Sequence, residues 1–181
     1  GGDAIAAFRD PVNLNMDMID HAEEVKAILD RRTDTYFDIF DHFHEILIAH
    51  GQAITTWFPL CSTKKWYIPS NDFSCMISKE MLDDVFLPGI RRECEFFEAS
   101  VYHLDGPDAL RHLDSLLAID ELNAIQFVIG AGNGRPTEWF HVFKEIQEAG
   151  KGISLAIQPG ELQAVMENLR PEGVFTSVSG V

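Results

Sequence analysis

The chain reads AIQFVIGAGNG over residues 124–134, and a helix is predicted directly after it, from Thr137 to Ala149. The first six residues are almost all apolar and include β-branched and aromatic side chains, which is typical of a strand buried on both faces. The glycines that follow predict a tight turn, and Gly150 ends the helix. Together these residues predict one strand–turn–helix unit of a parallel sheet.

The same rhythm extends in both directions along the chain. Further strands are predicted at 53–58, 100–104, 153–157 and 173–178, and helices at 108–117 and 161–169. Apolar strands that alternate with helices indicate right-handed βαβ units. The 181 residues are fewer than the ~250 of a closed eight-unit barrel, and the last strand has no covering helix. We therefore expect an α/β fold, a parallel (β/α) TIM-type barrel, of which residues 1–181 form a single-domain, incomplete carboxy-terminal portion.

The region before the first predicted strand is expected to be helical. Residues 36–50 are predicted to turn one apolar face inward. That face consists of Phe37, Phe40, Phe43, Ile46 and Leu47. After the first strand we expect a long loop over 59–76. A helix then begins with Ser78 as its N-cap and is kinked or divided at Pro88.

Charge and hydropathy exclude two classes of partner. Asp and Glu number 29 against 14 Lys and Arg, so the formal net charge is −15. Nucleic-acid binding rests on Lys and Arg contacts to phosphate and is not expected. No apolar run reaches the ~20 residues of a membrane helix, so no membrane association is expected. The cysteines, Cys61, Cys75 and Cys94, do not form a disulfide framework, which favours reduced thiols and a cytoplasmic location.

The strongest candidate site is YHLDG, residues 102–106. Carboxyl ends of strands form the active-site edge of parallel α/β folds. His103 and Asp105 lie two apart on an extended segment, so their side chains point to the same side. Such a pair can perform acid–base chemistry or bind a divalent metal. The alternatives are a His103 whose nitrogens are satisfied by backbone groups and an Asp105 that caps the following helix.

Other polar residues extend the candidate site. Asp72, in the long loop, either contacts a cationic substrate or is a turn residue. Trp57, Gln126 and Gln158 lie at or near the ends of predicted strands, and we expect them to bind a small-molecule substrate. His112, on the helix after YHLDG, is expected to face solvent.

Several segments have an order and spacing that resemble a known superfamily. They are NDFSCMISKEM (71–81), FLP (86–88), YHLDG (102–106), QFVIGAG (126–132) and VSG (178–180). Over residues 30–181 the chain resembles the carboxy-terminal part of the uroporphyrinogen decarboxylase-like and cobalamin-dependent methyltransferase superfamily.

This resemblance implies a TIM-type barrel enzyme. For the methyltransferases it implies methyl transfer among methyl donors, a partner corrinoid protein and thiols, at a zinc ion held by His and Cys. His103 corresponds to the first zinc ligand, whereas Asp105 stands at the position of a Cys ligand. A carboxylate in place of a thiolate makes the ligand set harder and more oxygen-rich. We therefore expect a methyltransferase with His103 as a zinc ligand and with His103, Asp105 and Asp72 as catalytic residues.

Two other functions stay open. One is cofactor-free decarboxylation of a tetrapyrrole or another carboxylated substrate, which the same superfamily performs. The other is a non-catalytic binding or regulatory half-barrel that keeps the pocket without its chemistry.

An incomplete barrel also leaves strand edges that must be paired. A homodimer is one way to pair them.

Overall fold

The computed structural model describes residues 1–178, in which helices alternate with the strands of a parallel sheet. The helices are α1 (Gly2–Arg9), α2 (Pro11–Asp20), α3 (Ala22–Ala49), α4 (Lys79–Met81), α5 (Leu87–Phe96), α6 (Leu113–Leu117), α7 (Phe140–Glu148) and α8 (Leu162–Asn168). The strands are β1 (Ile54–Thr55), β2 (Cys61–Ser62), β3 (Trp66–Tyr67), β4 (Ala99–Asp105), β5 (Ala124–Val128), β6 (Gly152–Ile157) and β7 (Val174–Val178). Ser179 and Gly180, which belong to the last segment of the family resemblance, lie outside the described residues.

Strands β3 to β7 form a five-stranded parallel sheet in strict sequence order. This order, with no reversal, is the winding of a (β/α) barrel, whereas a doubly wound open sheet has a switch point where the order reverses. Within residues 1–178, β3 and β7 are the two edges of the sheet. The predicted α/β fold with a parallel sheet is therefore confirmed. The sheet is consistent with an incomplete (β/α) barrel.

The two faces of the sheet differ in burial. In β4, the residues Ser100, Tyr102 and Leu104 are at most 1% exposed, whereas the residues between them are half-buried. The buried face packs against the helices, as expected from the two-residue period of a strand. This core includes Ile125, Phe127, Ile153 and Leu155 from strands and Leu116, Val142, Phe143 and Ile146 from helices. We call the opposite face, which carries His103 and Gln126, the inner face.

A second apolar cluster covers part of the inner face. Its buried members are Ile54, Phe58, Trp66 and Ile68, and Phe40, Leu47, Ala99, Val101 and Phe175 pack against them. The indole Nε1–H of Trp66 donates to the carbonyl of Ile54 at 3.2 Å, which ties the β1–β2 hairpin to the sheet. The hairpin therefore lies over the inner face of the sheet, next to Ala99 and Val101 of β4.

The prediction of a parallel strand at 53–58 is wrong. Only β1 is extended there, and it pairs antiparallel with β2. The first strand of the parallel sheet is β3, inside the predicted loop, where Trp66 pairs with Ala99. A short apolar run does not by itself reveal which partner it packs against, and here Ile54 and Phe58 pack onto the inner face instead of joining the sheet.

The prediction that residues 36–50 turn one apolar face toward the core is confirmed only in part. The segment belongs to the 28-residue helix α3, in which Phe43 is 60% and Ile46 is 44% exposed. The contacts of α3 concentrate on a narrower stripe, because α5 lies against one side of it. Phe37 stacks on Phe96 of α5 with ring centroids 4.0 Å apart. The outer apolar residues of α3 thus stay in solvent.

The helix predicted to begin at Ser78 is confirmed. The Ser78 hydroxyl accepts a hydrogen bond from the backbone N–H of Met81 at 3.2 Å. The helix is divided as expected, since the π-helical turn Leu82–Phe86 separates α4 from α5. Pro88 occupies the first turn of α5, directly after this π-helical turn. None of the helices within residues 1–178 meets the requirements of a membrane-spanning segment.

The prediction that His112 faces solvent is wrong, because its side chain is 1% exposed. The segment Pro107–His112 is a 3₁₀ helix, and its three-residue period places Ala109 and His112 on the same buried side. The His112 Nε2–H donates to the carbonyl of Ser74 at 2.9 Å. Burial lowers the pKa of His112 below its usual range, so the folded chain favours the neutral ring.

We expect the substitution His112→Gln to reduce the loss of stability in acid. The unfolded chain binds a proton on His112 near pH ~6.5, whereas the folded chain binds it only at lower pH. Unfolding therefore becomes more favourable as the pH falls through this window, and stability rises with pH. Gln keeps a donor for the Ser74 carbonyl but does not titrate. Urea unfolding of both proteins at about pH 7.5 and about pH 5.5 measures the difference.

The control for this experiment is His21→Gln, because the His21 side chain is 62% exposed. That variant should lose stability in acid as the unsubstituted protein does. If His112→Gln does the same, the neutral ring of His112 does not limit the acid stability of the fold.

Candidate functional site

His103 and Gln126 lie side by side on the inner face, because the register of β4 and β5 pairs them directly. The Nδ1 atom of His103 is 2.8 Å from the Oε1 atom of Gln126. The His103 side chain is 16% exposed. The register thus joins two of the predicted site residues, which are 23 positions apart in the sequence.

Asp72 reaches His103 from the edge strand of the sheet. Beyond β3 the chain continues beside β4, where the N–H of His103 donates to the carbonyl of Pro69 at 2.9 Å and Ser70 forms a parallel bridge to His103. The 3₁₀ turn Asp72–Met76 then begins. The Oδ1 atom of Asp72 lies 3.7 Å from Nε2 of His103. This places a carboxylate close to the ring nitrogen opposite Gln126.

Asp105 ends β4 on the same face as His103, as predicted from the two-residue period. Gly106 ends the strand with φ +81°, a conformation that favours glycine, and its N–H donates to the carbonyl of Val128 at 2.8 Å. Gly106 is the N-cap of the following turn, which has no side-chain cap. The alternative of Asp105 as a helix cap is therefore not observed, and its carboxylate can serve the site.

Trp57 lies against the His103 ring, although it is not on a parallel strand. The two ring centroids are 5.0 Å apart with an interplanar angle of 78°. Its neighbour Phe58 is 3% exposed and packs against Phe175 with centroids 5.4 Å apart. Phe58 thus anchors the segment, while Trp57 is 61% exposed at the mouth of the site.

Gln158 does not join this cluster. It follows β6 and is exposed, and its backbone N–H donates to Oε2 of Glu161 at 2.8 Å. Gln126 pairs with Ser154 of β6, so Gln158 lies four residues farther along its strand, at about 3.3 Å per residue. Its role in substrate binding stays a prediction.

Asp3 is a member of the site that the sequence did not identify. Its Oδ1 atom accepts a hydrogen bond from the N–H of Phe73 at 2.8 Å. A cleft of about 540 Å³ opens between α1 and the turn that begins with Asp72, and Asp3, Phe8 and Met76 line it. Burial raises the pKa of the Asp72 carboxyl, and the negative charge of Asp3 raises it further, while His103 acts in the opposite direction. No local sequence pattern links Asp3 to Asp72, since α1 is distant in sequence.

Asp72, His103 and Asp105 form a group of side chains that could hold a divalent cation. One ligand atom from each residue lies within 4.8 Å of the other two. Zinc binds nitrogen and oxygen ligands at about 2.0–2.2 Å, so its ligands are ~3.4 Å apart. The three side chains would therefore close inward around an ion, which the 53% exposed Asp72 side chain has room to do.

The same residues do not fit a thiolate-rich zinc site. In the described part of the chain, the group that could hold a metal contains no cysteine. Cys75 is nearby, but burial raises the pKa of its thiol, and the negative charges of Asp108, Asp105 and Asp72 raise it further. One imidazole and two carboxylates suit harder divalent ions and zinc, but not a soft ion such as Cu(I).

Comparison with known proteins adds no assignment. No family model matches the sequence, and searches of curated proteins and of solved structures give no significant match. The geometry of the site is therefore the basis for inferring function.

Proposed function

We propose that this chain is the catalytic unit of a metal-assisted methyltransferase, in which Asp72, His103 and Asp105 hold a divalent cation such as Zn²⁺. The proposal depends on one observation, the convergence of these three side chains at the carboxyl end of β4. The resemblance to corrinoid-dependent methyltransferases supplies the reaction, which is methyl transfer between a partner corrinoid protein and a small thiol. A bound cation supplies Lewis acidity, which lowers the pKa of a coordinated thiol.

The side chains of the site have different roles in binding the cation. His103 offers an imidazole nitrogen, and the carboxylates of Asp72 and Asp105 offset the charge of a divalent cation. Trp57 lies beside the imidazole and keeps water from one side of it. Electrostatic interactions are stronger where water is excluded, so Trp57 favours tight binding at a site that is otherwise open to substrate.

Cofactor-free decarboxylation receives less support from the charges at the site. Burial raises the pKa of the Asp72 carboxyl, and the negative charges of Asp3 and Asp105 raise it further. Three carboxylates repel a polycarboxylated tetrapyrrole unless a cation neutralises them. The non-catalytic alternative is also weakened, because Asp72 and Gln126 both face His103 instead of pointing away from it.

We expect the purified chain, after dialysis against a chelator, to bind about one Zn²⁺ per molecule in a calorimetric titration. Asp72→Asn and Asp105→Asn should each weaken binding by at least roughly the 10–100-fold that loss of an outer partner costs. Asp108→Asn is the matched control, because Asp108 is an exposed acid three residues from Asp105, and it should leave the affinity unchanged.

The reaction is tested separately from the metal. With methylcobalamin as donor and a small thiol as acceptor, loss of the methylcorrinoid absorbance should require added metal. If the chain binds no Zn²⁺, Mn²⁺ or Co²⁺, the metal assignment is wrong. If it binds metal but the methylcobalamin spectrum does not change, the site stands and the assigned reaction is wrong.

A further inference from the structure

We infer that Gln126 is a positioning residue, which fixes the tautomer and the orientation of His103 so that Nε2 is the atom presented to Asp72. The inference rests on the proposed function, because it concerns the same site. This role differs from the one predicted from the sequence, in which Gln126 binds substrate.

The contact is held by the most regular part of the sheet. Strands β4 and β5 pair continuously from Val101–Ala124 to Asp105–Val128, and the pair His103–Gln126 lies at the centre of this ladder. Both backbones are therefore fixed by neighbours on either side. On its other side Gln126 pairs with Ser154, which is 5% exposed. The backbone register therefore keeps the Gln126 amide within reach of Nδ1, where the two side chains are 2.8 Å apart.

The chemistry of the amide decides which ring nitrogen is free. The Oε1 atom of Gln126 only accepts hydrogen bonds, so Nδ1 of His103 carries the proton and donates it. In a neutral ring the lone pair is then on Nε2, the nitrogen that lies 3.7 Å from Asp72. Histidine ligands of metals usually donate their other N–H to an oxygen acceptor, which fixes the tautomer and ring orientation. Gln126 is this acceptor for His103.

A substrate-binding role predicts different behaviour. An amide that contacts only substrate affects the affinity for substrate and leaves the affinity for metal unchanged. An amide that positions His103 affects metal affinity before any substrate is present. The two roles are therefore separated by measuring metal binding alone, without a methyl donor or acceptor.

The experiment measures the Zn²⁺ dissociation constant by competition with a chromophoric chelator. Gln126→Leu removes the acceptor, and Gln126→Asn shortens the side chain so that it no longer reaches Nδ1; each should weaken binding by about 10–100-fold. Gln126→Glu keeps an acceptor and should bind Zn²⁺ at least as tightly as the unsubstituted protein, because a carboxylate partner makes the ring a stronger ligand. Gln163→Leu, at an exposed glutamine of α8, should have no effect.

The second readout is the tautomer of His103, which ¹⁵N chemical shifts report in metal-free protein at a pH where the ring is neutral. We expect the Nδ1–H form in the unsubstituted protein and in Gln126→Glu, and a shift toward the Nε2–H form in Gln126→Leu and Gln126→Asn. Circular dichroism shows whether each variant is folded. If Gln126→Leu does not fold, Gln126→Asn serves as the test.

The outcomes distinguish this inference from the proposed function. If Gln126→Leu and Gln126→Asn keep the original tautomer and the original Zn²⁺ affinity, Gln126 does not position His103, although the metal site remains. If the unsubstituted protein binds no metal, the proposed function fails, and the ¹⁵N shifts still show whether Gln126 sets the tautomer.

Discussion

His103→Ala is expected to abolish Zn²⁺ binding, with an effect larger than the roughly 10–100-fold that loss of an outer partner such as Gln126 produces. In the proposed metal site His103 is the nitrogen ligand, and its side chain is 16% exposed against 53% for Asp72. Without the ring, two carboxylates remain, and these favour weakly held hard ions. Metal-dependent methyl transfer should be lost together with the ion.

The measurement is a Zn²⁺ titration and a methylcobalamin assay on the same preparation. His21→Ala is the control, because the His21 side chain is 62% exposed and lies between α2 and α3. This variant should behave as the unsubstituted protein. Loss of the His103 imidazole leaves the apolar cores intact, so circular dichroism should be unaltered. A His103→Ala protein that binds Zn²⁺ within a few-fold of the original affinity would show that the ion is held elsewhere.

Phe143→Ala is expected to destabilise the fold by about 3–5 kcal/mol. Phe143 of α7 is 1% exposed and lies against Phe127 of β5, with ring centroids 6.1 Å apart. Its removal leaves a cavity directly beneath the strand that carries Gln126, where the surrounding sheet has little freedom to collapse. The substitution should therefore lower the stability of the fold and also shift β5, the strand that carries Gln126.

Urea unfolding measures this loss as a shift of the midpoint at constant slope. Met166→Ala is the control on the neighbouring helix α8, because Met166 is 73% exposed; it should change stability by no more than about 0.5 kcal/mol. If both substitutions have equally small effects, α7 does not contribute to the core as its burial indicates.

The local part of the site follows from sequence. His103 and Asp105 share a face because side chains alternate along any strand, and the apolar residues around them predict that strand without knowledge of its neighbours. Ser78 and Pro88 also act within a few residues of themselves, through an N-cap hydrogen bond and a missing N–H. The helix they begin and divide can accordingly be predicted.

The long-range part does not follow from sequence. Residues 53–58 have the composition of a buried strand, but Ile54 and Thr55 pair antiparallel with β2, and Ile54 and Phe58 pack onto the inner face. His112 has the pattern of an exposed helical residue, but a 3₁₀ turn placed it in the core. In both cases a tertiary contact outweighed a weak local preference.

The alternation of strands and helices can be predicted from the residues alone, and with it the strand end where His103 and Asp105 lie. The contact of Gln126 with Nδ1 and the position of Asp72 near Nε2 are set only when the chain is packed in three dimensions. Periodicity and capping are interactions within a few residues, whereas register and the path of β3 depend on packing among segments far apart in the chain. The site requires both, since the strand presents the imidazole and the sheet brings its partners to it.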